Sequence, residues 1–139
     1  MDRKPAVVPP VRGMSILVGV IVGCILAYAY QVNLPTLFYE MDVYGVVGLL
    51  YSLVVFVAIP MLAGFVVGLL YPVMAIRNGL CAGLISGLFN SIIAAIKLIY
   101  APSLAPDEVY AFSLFAILSV FVWMVFAAVA AELASRFYE

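Results

Sequence analysis

The chain has 139 residues, 68% of them apolar and 9% charged, with a formal net charge of −1. Soluble domains carry about 25% charged residues, so water is excluded as the main solvent, and the length leaves room for one compact unit. Basic clusters reach two residues at most (Arg3-Lys4), which excludes nucleic acid as a ligand.

The first uncharged run lies between Arg12 and Glu40, and its apolar heart from Met14 to Tyr30 approaches the roughly 20 residues that cross a hydrocarbon core. This predicts a first helix over 13–32, preceded by a polar tail, residues 1–12. The run from Val43 to Ile76 would make a helix of about 51 Å, too long for one perpendicular crossing and too short for two. One tilted helix over 43–71 is expected, kinked near Pro60, where the ring removes a backbone hydrogen bond, and stopped around Pro72. A third helix is predicted over 79–100, ended by Ala101-Pro102-Ser103, and a fourth over 108–132, running on toward Arg136. The expected fold is therefore all-α, one integral membrane bundle of four transmembrane helices.

Basic residues near helix ends stay on the cytoplasmic side. Arg3, Lys4 and Arg12 precede the first helix, Arg77 lies between the second and third, and Arg136 follows the fourth, so both termini are expected in the cytoplasm, in a prokaryotic inner membrane. Lys97 is the exception, with a stem that can snorkel to the outer interface as a counter-ion for Glu40, Asp42, Asp107 and Glu108, or as part of an anion entrance. Tyr28, Tyr30, Tyr39, Tyr44, Tyr100 and Tyr110 gather near that outer boundary, as an aromatic belt does.

The N-terminal pattern also resembles a secretory signal, with Ala27-Tyr28-Ala29 as a cleavage site, and Ile21-Val22-Gly23-Cys24 resembles a loose lipoprotein box. Against cleavage, the apolar run continues past Cys24. Counted along their helices, Cys24 lies about 16 Å and Cys81 about 5 Å into the membrane, which argues against a disulfide.

The clearest pattern is a ladder of small residues on the third helix, Gly79, Gly83, Gly87, Ser91 and Ala95. Lipid tails are as apolar as leucine, so helices associate in membranes where small side chains let backbones come close. Expected neighbours are Gly64-x-x-x-Gly68 on the second helix and Gly19-x-x-x-Gly23 on the first. Ala127, Ala131 and Ala130, Ala134 give the fourth helix a milder version. Such ladders serve static packing, oligomerisation or a moving gate.

Chemistry is sparse. The chain has no histidine, and its acidic residues fall at or beyond the predicted helix ends, so haem, zinc and intramembrane proton-relay readings lack their groups. The small multidrug exporters depend on a glutamate inside their first helix, which is missing here. No phosphate loop, nucleophile elbow or metal spacing is present, and neither a catalytic residue nor a cofactor is expected. Four uncharged polar residues, Ser52, Asn90, Ser91 and Ser119, count to about 14 to 18 Å from their membrane boundaries and could meet near the midplane. Asn90 is the most telling, since lipid cannot satisfy its amide; it either bonds another helix or lines a wet cavity. Glu132 and Arg136 are spaced for an i,i+4 surface pair.

Ala63-Gly64, Gly68, Arg77-Asn78-Gly79, Gly83 and Gly87 resemble the glycine-laddered central hairpin of small four-helix prokaryotic membrane proteins of unknown function. That resemblance implies a fold and a location and no activity. Three readings follow: a structural or accessory protein packing against itself or a larger complex; a small homo-oligomeric transporter or channel, in which Asn90, Ser52 and Ser119 line one cavity; and a lipid-acting enzyme, which lacks a nucleophile and base pair. The lipid bilayer is the one partner common to all three.

Overall fold

A computed structural model describes residues 12–41, 50, 53–100 and 106–138. Ser52, Tyr44, Asp42, Arg3, Lys4, the start of the second predicted helix and the Ala101-Pro102-Ser103 break lie outside the described residues, as do the side chains of Tyr39, Glu40, Asp107 and Glu108. The described chain is helical, in the order α1 (Arg12–Met41), a π-helical turn (Val54–Ala58) leading into α2 (Ile59–Leu70), α3 (Ala75–Ile99), α4 (Pro106–Ser135) and a 3-10 turn (Arg136–Tyr138). Three segments, Arg12–Val32, Ala75–Lys97 and Ala116–Tyr138, are long and apolar enough to cross a membrane, while Val54–Leu70 is apolar and shorter.

Proline chemistry explains the irregular features. The ring of Pro60 would press on the Phe56 carbonyl and offers it no amide hydrogen. The backbone widens just before it, so that the Ile59 amide bonds Val54 O five residues back. A π turn thus stands where a kink is expected from the sequence. Pro72 disfavours helical geometry at the residue before it, and Tyr71 leaves α2 at φ −147, ψ 89. Met74 then takes a left-handed conformation, φ 58, its carbonyl accepting the Asn78 amide at 3.0 Å. This turn lets α3 begin at Ala75, earlier than the expected residue 79. Pro106 opens α4, two residues before the expected start, since a first-turn proline forfeits no helical bond, and α4 ends at Ser135. The largest departure is in α1, which continues past residue 32, through Pro35, to Met41.

Contacts at the helix ends set the directions. Arg12 at the start of α1 donates through Nε to Asn78 Oδ1 at 2.8 Å, at the start of α3. Tyr138 after α4 donates to Leu69 O at 2.6 Å, at the end of α2, and Phe137 meets Phe65 edge-on at 6.0 Å. The start of α1, the α2–α3 turn and the end of α4 therefore share one end of the bundle. At the other end, Gln31 on α1 meets Asn90 and Lys97 on α3. Helices α1 and α3 run parallel, and α2 and α4 run against them.

An apolar core cluster joins Ala27 of α1, Val55 of the π turn, Ile59 of α2 and Trp123 of α4, with Leu26, Tyr30, Val54 and Phe56 against it. Trp123 is fully buried, and its indole N–H has no hydrogen-bond partner among the described residues. Its contribution is therefore shape, and Trp123→Phe should destabilise the protein far less than Trp123→Ala, which empties a large site at about 3 kcal/mol or more. Unfolding by denaturing detergent in mild micelles measures both.

Candidate functional site

The small residues converge on α4. A methyl carbon built on Gly64 would stand 2.6 Å from Ala127 Cα, and one on Gly68 would stand 2.8 Å from Ala131 Cα. From the other side, a methyl on Gly79 would stand 2.6 Å from Ala127 O and 2.8 Å from Ala131 Cβ. On Gly83 it would lie 2.6 Å from Trp123 O, and on Gly87 3.0 Å from Trp123 Cβ. At Gly64, Gly68, Gly79 and Gly83 no side chain fits without a shift, so α2 and α3 both touch α4 backbone to backbone, while Gly87 leaves a contact that is merely tight. Ala127 and Ala131, fully buried, form a spine between them.

The α3 ladder accordingly faces α4, and not the α2 or α1 glycines named as its expected neighbours. The reason is geometric: Gly64 and Gly68 are themselves occupied by the alanine spine. The α1 pair packs elsewhere. A methyl on Gly19 would sit 2.9 Å from Ala63 O, and one on Gly23 would sit 2.8 Å from Ser86 Cβ, which places α1 on the α2–α3 seam. Ala130 and Ala134 of α4 are buried as well.

The ladder does not stay closed along its length. Ser91 donates to Ala116 O at 2.8 Å and lies 3.2 Å from Ser119 Oγ, while Ala95 is exposed. Beyond Gly87 the helices enclose an open, apolar groove of about 490 Å³, lined by Leu88, Ser91, Ile92, Ala95, Ser113 and Ala116 among others.

The expected midplane polar set divides between two faces. Adjacent helical residues point about 100° apart, so Asn90 and Ser91 cannot serve one neighbour equally. Ser91 and Ser119 meet on the α4 side, where both donate to Ala116 O, Ser119 at 2.7 Å. Asn90, 3% exposed, turns to α1, where the Gln31 side-chain nitrogen donates to Asn90 Oδ1 and lies 3.4 Å from Asn90 O. Ser52, the remaining member, lies outside the described residues.

Sequence reasoning passed over two polar residues that matter. Gln31 is 6% exposed yet sits at a predicted helix end, where exposure is the ordinary expectation. Asn78 is fully buried; besides accepting from Arg12, it donates through Nδ2 to Val73 O at 3.1 Å and so closes the α2–α3 turn. Its place after Arg77 in a short proline-led turn was the available signal. Lys97, read from sequence as a snorkelling cation, is partly buried and donates through Nζ to the main-chain oxygen of Gln31; the acidic side chains expected around it lie outside the described residues. The Glu132–Arg136 pair forms at 3.5 Å on the surface, where such pairs contribute little. Cys24 and Cys81 are free thiols. Among the described residues no group of three or more His, Cys, Asp or Glu is placed to hold a metal.

Compared with protein-family models, curated proteins and solved structures, the chain matches none.

Two outcomes follow from this geometry. Gly83→Leu should destabilise the fold by about 1–3 kcal/mol through overpacking without changing the oligomeric state measured by light scattering in mild detergent, because the ladder is filled from within the chain. Asn90→Leu should lower stability by about 0.6 to 1.7 kcal/mol, and Gln31→Leu added to it should restore part of that loss, since removing both partners leaves no unpaired amide; detergent-unfolding curves for the double-mutant cycle measure this.

Proposed function

We propose that this chain is a four-span protein of the cell membrane with both termini cytoplasmic, and that it is a structural or accessory component acting through helix packing, without catalytic activity. The orientation is supported by the shared end of the bundle. Arg12, Arg77 and Arg136 all lie there, joined through the Arg12–Asn78 bond and the Tyr138–Leu69 bond, and basic residues favour the cytoplasmic side. Arg12 to Gln31 on α1 and Asn78 to Lys97 on α3 each span 19 positions between polar contacts. At 1.5 Å per residue that is about 28 Å, the thickness of a hydrocarbon core.

The observation that carries the structural role is where the polar side chains go. The transporter reading requires Asn90 and Ser119 to line one cavity; here Asn90 is bonded to Gln31, while Ser119 meets Ser91 at the Ala116 carbonyl, on a different face of α3. The small-residue faces of α1, α2, α3 and α4 meet one another, so what α1 and α3 present outward is large and apolar, including Ile25 and Ile92. Such faces suit lipid or the flank of a larger membrane complex.

Liposome flux and in-membrane cross-linking test this reading together. Purified protein should add no solute or ion flux above that of bare lipid, and photo-cross-linkers at Ile25 or Ile92 should trap lipid or a different membrane protein. Flux that Asn90→Leu abolishes, or self-cross-links of defined stoichiometry, would favour the homo-oligomeric transporter instead.

A further inference from the structure

A proline in a helix leaves the carbonyl four residues before it without its amide partner. Helix α1 is continuous from Arg12 to Met41, so Pro35 orphans the carbonyl of Gln31. Within a membrane an orphan carbonyl needs a replacement donor, from a neighbouring helix, a hydroxyl side chain, a water or a local rewinding of the backbone. The donor present is Nζ of Lys97, which bonds that same oxygen.

Lys97 brings the complementary difficulty, since a partly buried ammonium at the edge of the hydrocarbon core is costly without acceptors. Among the described residues the one ion pair is Glu132–Arg136, and Lys97 is partly buried. Its position is set by Asn90: seven residues apart, the two lie two helical turns along the same face of α3. Asn90 takes the Gln31 side chain, and Lys97 takes the Gln31 main chain. The glutamine is thereby held from both directions, with its freed carbonyl turned to α3.

We propose that Pro35 and Lys97 act as one conformational device, in which the lysine ammonium replaces the amide hydrogen that proline lacks. Residues 32–41 extend α1 as a helix only while this substitution holds, and loss of the ammonium releases α1 to bend at Pro35. The inference goes beyond the structural role proposed above and rests on its membrane-spanning reading alone.

The test begins with the unmutated full-length protein in lipid bilayers. Gln31 is the only glutamine, and the lysines are Lys4 and Lys97. With carbon-13 in the glutamine carbonyl and nitrogen-15 at lysine Nζ, solid-state NMR should show dipolar dephasing at Gln31 that persists in Lys4→Arg. Absence of dephasing would overturn the proposal without any variant having to fold. The second arm is a cycle of Lys97→Met and Pro35→Ala. Lys97→Met should reduce the folding equilibrium constant roughly three- to twentyfold in the proline background. In the Pro35→Ala background, where the backbone itself supplies the amide hydrogen, it should reduce it by less than about twofold. Equal losses in both backgrounds would show that Lys97 acts independently of Pro35 and would sink the idea.

Discussion

The structure depends on the approach of two helices to a third at backbone distance. Gly64 and Gly68 of α2 and Gly79 and Gly83 of α3 close on Ala127 and Ala131 of α4 from opposite sides. In lipid no apolar surface is gained by leaving water, so association rests on dispersion between well-fitted surfaces and on the few hydrogen bonds that cross them. A gap of about 0.5–1 Å already forfeits a quarter to a half of the dispersion attraction. The glycines are what bring whole backbones into its range, and an alanine row on α4 is the largest surface that both neighbours can accept at once.

Placement of everything else follows from that three-helix wedge. With α4 filling the cleft between α2 and α3, α1 is left to the outer seam, where Gly19 and Gly23 meet Ala63 and Ser86. It is the least embraced helix and the one pinned by side chains at both ends, Arg12 to Asn78 and Gln31 to Asn90 and Lys97. Polar contacts thus appear where close packing is weakest. Trp123 marks the change along α4 from an alanine surface to a bulky one, and beyond Gly87 the α3–α4 contact loosens into the apolar groove.

Three of the four prolines within or beside the described helices interrupt or threaten a helix, and each is met differently. Pro60 widens the backbone into a π turn, Pro72 ends α2 and sets up the left-handed Met74, and Pro35 is carried within α1. The difference lies in the surroundings. A freed carbonyl ends a helix in water or at a loop, but a donor from a packed neighbour allows the helix to go on.

Solvent class, helical content and the small-residue faces were legible in the sequence, because composition and the four-residue spacing of Gly79, Gly83 and Gly87 are properties of one chain segment at a time. The pull of Pro60 and Pro72 was legible for the same reason, as each acts on its own carbonyls and neighbours. Which faces meet was not. Gly64-x-x-x-Gly68 and the α3 ladder look alike in sequence, and that both turn to the alanines of α4 rather than to each other is decided by how three helices share one space. The polar residues followed the same division: the need of Asn90 for a partner is written in its amide, but its partner Gln31 lies 59 positions away and could be joined to it only by the parallel placement of α1 and α3. Lys97 reads in sequence as a snorkelling cation, and tertiary contact alone sets it against the carbonyl that Pro35 leaves without an amide donor.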